Sequence, residues 1–267
     1  MDNIKIGFFS DTHNLHREWK NSFKTFDKSG EIEKKWSELD ILCFTGDCSS
    51  IGDSEKVEDF MKWFSDQPAK KKVMIAGNHD FFFDIDYRNK RPRQNNDKSP
   101  QEEVEEMLSK FPDIHYLNDS GIELFGLNIW GSPIQPNFLN YAFNRNRNTK
   151  VNGDGSISEY NGKHITNSIK KHWDMIPNNT DILLVHGPPF KHGDLLVPSS
   201  RVNGEYPRVG CFDLGVAIER VKPKIVGFGH IHEGYCKIKG EDNIIYINSS
   251  SLNENHSPTN PPKFHRI

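Results

Sequence analysis

The sequence predicts an α/β protein, and three observations carry that prediction. Short apolar runs rich in β-branched residues recur along the 267 residues, and polar stretches with helical spacing separate them. The runs are nearly continuous rather than alternating, as expected of strands covered on both faces. In order they are IKIGFF (4–9), DILCF (40–44), KVMIA (72–76), IELFGLNIW (122–130), DILLV (181–185), KIVGFG (224–229) and NIIYIN (243–248). The helical stretches are VEDFMKWF (57–64), EEVEEMLSKF (102–111) and FDLGVAIERV (212–221). No repeat and no long linker divides the chain, so residues 1–267 read as one domain able to bury a large core. Two segments, 88–101 and 144–163, are rich in Asn, Gly, Ser and basic residues and read as long solvated loops, with a lid over an anionic substrate as the alternative. The tail NENHSPTNPPKFHRI (253–267) carries too many Pro and polar residues for a helix and is expected to lie extended on the body.

Composition narrows the function classes. Thirty-four basic residues against 37 acidic ones leave a formal charge of −3, with no global attraction to nucleic acid or anionic membrane. An anionic substrate must be held locally, and stable nucleic-acid binding is not expected. Cys43, Cys48, Cys211 and Cys236 are scattered without a CxxC pair, which argues against a disulfide framework or a thiolate metal site. They read as small buried fillers. The start MDNIKIGFF is not a signal peptide, and no apolar run approaches the ~20 residues of a membrane helix, so a cytoplasmic location is the expectation.

Five of the runs end in groups that bind metals. Asp11-Thr12-His13 follows the first, Gly46-Asp47 the second, Gly77-Asn78-His79-Asp80 the third, His186-Gly187 the fifth and Gly229-His230-Ile231-His232 the sixth. Burying such groups unpaired costs several kcal/mol, so they require a common partner. Alternate residues of extended chain point to one side, so Asp11 with His13, and His230 with His232, each aim two groups at one place. The neighbouring glycines let the backbone turn sharply and approach closely. Two carboxylates, an amide oxygen and several imidazoles form a mixed N/O set suited to Mn, Fe or Zn. Taken alone, a DxH or HxH pair is more often a hydrogen-bonded strand end, and a GNHD more often a turn. Their conjunction in this order, each after an apolar run, is what points to a metal centre.

In these motifs the chain resembles the calcineurin-like metallophosphoesterases. Within that family it is most similar to the metallophosphoesterase-domain-containing branch related to class III cyclic nucleotide phosphodiesterases, through TDILLVHGPP, RVGC, VKPKIVGFGHIHEGY, YINSSS and PTNPP. The resemblance implies a four-layer sandwich of two mixed β-sheets flanked by helices. It implies two divalent metal ions, Mn, Fe or Zn with Mn favoured in vitro, as cofactors. On the family pattern Asp11, His13 and His232 hold the first, Asn78, His186 and His230 the second, and Asp47 bridges them. The implied chemistry is hydrolysis of a small nucleotide phosphodiester, cyclic nucleotides first, by in-line attack of hydroxide generated at the metals. His79 is implied as the group that protonates the leaving oxygen, with Asp80 orienting it, and Asn78 also faces substrate.

Substrate contacts beyond this set are His16 and Arg17, as against a solvated helix start, and Asn144, as against loop packing. Phe81 to Phe83 read as core filling in preference to a base-stacking surface. The remaining histidines read as surface or packing residues. A phosphomonoesterase or protein phosphatase would use the same metals. The alternative of another class is a nucleotide-binding regulatory module with weak catalysis.

Overall fold

The computed structural model describes residues 3–91, 98–151, 157–159, 166–196 and 207–267. Two mixed sheets form its centre. The first has the strand order Lys263–Arg266, Lys5–Phe9, Ile41–Thr45, Lys71–Ile75, Ile114–Tyr116. Its members run parallel except Lys263–Arg266, which pairs antiparallel with Lys5–Phe9. The second has the order Cys236–Lys239, Ile245–Asn248, Ile225–Phe228, Ile182–Val185, Leu127–Ser132, Ser120–Leu124. Its central pairs are parallel and its two edge strands antiparallel.

The period-2 alternation of each strand sorts its side chains between two layers. Ile6, Phe8, Ile41, Cys43, Val73 and Ile75 of the first sheet share one buried cluster with Ile129, Ile182, Leu184, Ile225 and Ile247 of the second. The sheets therefore pack face to face. Phe9 and Phe44 point the other way, onto Phe60 and Phe64 of helix Ser54–Ser65. That helix starts at Asp53, whose side chain accepts from Glu55 N at 2.9 Å, and buries Val57, Phe60, Met61, Trp63 and Phe64. The helices Pro100–Ser109, opened by a Ser99/Glu102 capping box, and Phe212–Val221 also form where the helical spacing predicts them.

Three segments depart from the sequence reading. The run 122–130 is not one strand but a hairpin, Ser120–Leu124 against Leu127–Ser132, turned by Phe125 (φ 53°) and Gly126 (φ 76°). Two successive positive φ values are the turn geometry that matches strand twist, and a Phe at the first position hid it. Described parts of 144–163 are strands rather than loop: Asn144–Arg145 pairs with Gln135–Pro136, and Thr149–Val151 with Ile157–Glu159. The ends of 88–101 belong to helices Ile85–Asn89 and Pro100–Ser109, and the lid alternative for the two segments falls on 92–97, 152–156 and 160–163, outside the described residues. The end of the tail runs extended, adding the edge strand Lys263–Arg266, whereas 253–257 forms a hydrogen-bonded turn instead of extended chain. All four cysteines are free, three of them buried. Among the described residues no helix is long and apolar enough to cross a membrane.

Candidate metal centre

The strand-end segments that leave one edge of both sheets are tied to one another by their backbones. Thr12 N and His13 N donate to the Asp47 carbonyl, Asn14 N donates to that of Cys48, and Gly229 N donates to that of His186. Asp11, His13, Asp47 and His230 all hold positive φ, from 41° to 68°, which non-glycine residues accept only under tertiary constraint. Those constraints bring the predicted groups together. Among the described residues, three sets place one ligand atom of each member within 4.8 Å of the others: Asp47, His186 and His230; His13, Asp47 and His79; His13, His232 and His256. Asp47 belongs to two of them. Its Oδ2 lies 3.2 Å from His186 Nε2 and 3.8 Å from His13 Nε2. Asn78 Oδ1 is 2.9 Å from His186 Nε2, and Asp11 Oδ1 is 3.5 Å from His232 Nε2.

The hydrogen bonds at the far side of each ring fix what it presents. His186 Nδ1 faces the Thr45 carbonyl at 2.8 Å, His232 Nδ1 that of Asn253 at 3.0 Å, and His79 Nδ1 that of Ser50 at 2.7 Å. A carbonyl only accepts, so Nδ1 carries a proton in each case and Nε2 is turned toward the centre. For neutral His186 and His232 this aims a nitrogen lone pair at carboxylate or amide oxygens. Such an arrangement is repulsive unless a proton or a cation lies between, so the residues fit divalent ions. Without one, a proton takes the place. Burial lowers the basicity of His186 and of His232, but the Asp47 charge on the first and the Asp11 hydrogen bond on the second prevail, raising each pKa to about 9. His13 and His230 go the other way, to about 4, chiefly through burial. Burial would also raise the Asp11 and Asp47 carboxyls, yet the imidazoles around them hold both below the usual carboxylate range.

Three of the motif glycines are required by close approach, among them Gly46, whose Cβ would stand 2.5 Å from His186 Nδ1. A Cβ on Gly77 would stand 2.2 Å from Asp47 Oδ1, and one on Gly229 would stand 2.1 Å from Asp11 Oδ2. Gly187 departs from the expectation, since its Cβ would meet Gln135 at an ordinary 3.7 Å. Gly77→Ala is therefore expected to weaken metal binding and lower stability by about 1–3 kcal/mol through overpacking, while Gly187→Ala stays within about 0.5 kcal/mol of the parent. Denaturant melts and metal titration of both variants check this, and equal behaviour of the two would refute it.

Several predicted roles move. Asp80 does not touch the His79 ring. Its buried carboxylate accepts from the backbone N–H of Asp47, Ser49 and Gly77 at 2.9–3.0 Å and from Ser49 Oγ at 3.0 Å. It fixes the Asp47 segment, and the Ser50 carbonyl orients His79. His16 is 2% exposed, packed against Phe60 and Trp63, with Nε2 held by Arg17 and Asp59, so it is not offered to a phosphate. Arg17 is itself paired with Asp59. Asn144 spends its amide on the Phe138 and Leu139 carbonyls and so closes a turn. Phe82 and Phe83 are buried, Phe83 stacked on Tyr116, which is core filling.

The structure adds residues that the motifs did not single out. Ser10 and Ser250 donate to Asp11 Oδ2 at 2.5 and 2.9 Å, and His230 N donates to the same carboxylate. Ser250 lies in the YINSSS run, whose signal was present without an evident role. Tyr141 packs on His79 with ring centroids 4.7 Å apart.

Comparison with known proteins gives the class to which this fold and candidate centre belong. The Calcineurin-like phosphoesterase family model matches residues 4–234, and the chain belongs to that family. It is 32% identical over 230 residues to metallophosphoesterase domain-containing protein 1 of Homo sapiens, covering 84% of this chain and 63% of that one. A UPF0046 protein of Caenorhabditis elegans is 33% identical over 240 residues, covering 84% and 53% respectively. The chain thus spans less than two thirds of the length of these relatives. The crystal structure of TT1561 of Thermus thermophilus shares the fold, with a TM-score of 0.50 at 11% identity over 92% of this chain and 88% of that one.

Proposed function

We propose that the chain is a two-metal phosphodiesterase acting on small nucleotide phosphodiesters, with cyclic nucleotides as the first candidates. The observation that carries this reading is the convergence of imidazole lone pairs and carboxylate oxygens on both sides of Asp47. In this reading Asp11, His13 and His232 hold one ion, Asn78, His186 and His230 the other, and Asp47 both. The ion pair supplies Lewis acidity toward the phosphoryl oxygens and toward water.

The protein's own groups then divide the remaining work. His79 presents Nε2 at the rim of the cluster, its ring fixed by Ser50 and its backbone N–H donated to Asp47 Oδ1 at 2.8 Å. It is placed to pass a proton from Nε2 to the departing oxygen. Beside His230 opens a cavity of about 380 Å³ lined by Gln135, Phe138, Arg147, Arg208 and Ile231 among others. Its size suits a nucleoside, with apolar walls for the base. Gln135 Oε1, buried with no hydrogen-bond partner among the described residues, is a candidate acceptor there. The test is a panel of 2′,3′- and 3′,5′-cyclic nucleotides, an aryl phosphodiester and an aryl phosphomonoester with Mn²⁺, Fe²⁺ and Mg²⁺. Diesters should turn over faster than the monoester. Monoester preference would make the protein a phosphomonoesterase, and nucleotide binding without turnover a regulatory module.

A further inference from the structure

The tail turn 253–257 contributes to the centre in two ways. The Asn253 carbonyl orients His232 through Nδ1. The same carbonyl accepts from His256 N at 2.9 Å, and Asn253 Oδ1 accepts from Asn255 N and Ser257 N at 3.0 Å each. This bonding sets the turn so that His256 sits in the left-handed region, φ 54°, with its ring over the cluster. Its centroid is 5.0 Å from that of His232 and 5.5 Å from that of His13. One ring nitrogen of each of the three lies within 4.8 Å of the others. Nitrogens on one ion, each at ~2.1 Å, stand no more than ~4.2 Å apart. A small side-chain rotation of an exposed histidine closes that difference.

We propose that His256 is an additional nitrogen ligand, delivered by the C-terminal tail, to the ion held by Asp11, His13 and His232. The proposal rests on the two-metal reading and extends its ligand set. Three imidazoles with the Asp11 carboxylate also make the first position richer in nitrogen than the second, which favours Fe, Co or Zn over Mg there.

The experiment titrates the metal-free full chain with Co²⁺, following heat and visible absorption, for the parent and for His256→Ala. The parent should load two ions. The variant should bind one of them ~10–100-fold more weakly, with an altered absorption band for that ion and an unchanged second site. Unchanged affinity and spectrum at both sites would overturn the proposal, even if KM for a nucleotide rose, since that would make His256 a substrate contact. Equal weakening of both sites would also overturn it, by making the turn a structural prop. Fewer than two ions in the parent would instead overturn the two-metal reading itself.

Discussion

Asp47→Ala is expected to reduce metal content below two ions per chain and to cut phosphoester hydrolysis at least ~10³-fold, because the several kcal/mol of charge stabilisation by the ion pair is lost with the shared ligand. The fold should survive. Asp80 anchors this segment through the backbone N–H of Asp47, not through its side chain, so truncating the carboxylate leaves that anchor in place. The cost falls on His186, whose charge partner disappears, and on His79, whose backbone N–H loses its acceptor. Elemental analysis, circular dichroism and rate measurement on one preparation separate the effects. Two retained ions with a rate within tenfold of the parent would refute the bridging role.

His79→Gln is the second large effect, and its size should depend on the substrate. A nucleotide diester expels a sugar alkoxide, which gains much from protonation, whereas an aryl ester expels a phenolate that needs little help. The variant should lose ~10²–10⁴-fold on a cyclic nucleotide and distinctly less on an aryl diester. Metal content should be unchanged. Equal losses on the two substrates would leave His79 as a hydrogen-bond donor or positioning group, and a parallel loss of metal would place it among the ligands. The second outcome has a structural basis to be tested against, since His79 groups with His13 and Asp47.

The parts of the site that were legible in the sequence are those written in side-chain identity. Asp11, His13, Asp47, Asn78, His79, His186, His230 and His232 each follow an apolar run, and a strand end delivers its next residues to the sheet edge. The orientation of those rings was not legible, because the groups that set it are the carbonyls of Thr45, Ser50 and Asn253, and any residue carries a carbonyl. Asp80 misled for a related reason. Adjacency suggests His79 as its partner, while its donors are Gly77 N and the segment Asp47 to Ser49, the latter thirty-odd residues away in sequence. The hairpin at Phe125-Gly126 was missed since Phe supplies none of the usual turn chemistry. His256 lacked any local pattern, and only the path of the tail brings it to the cluster.

The groups proposed as ligands come from two sheets. Asp11, His13, Asp47 and Asn78 leave strands of the first, and His186, His230 and His232 leave strands of the second. Between the facing layers the sheets meet through non-directional apolar contact, and at the site edge Ser10 N donates to the Ser249 carbonyl and Ser251 N to that of Ser10. In the proposed assignment each ion takes ligands from both, so an ion acts as a staple across a greasy seam and adds to the hydrogen bonds that hold one slab in register on the other. Loading and tertiary order then become a single linked equilibrium: whatever shears the slabs ejects the ions, and scarcity of ions loosens the slabs.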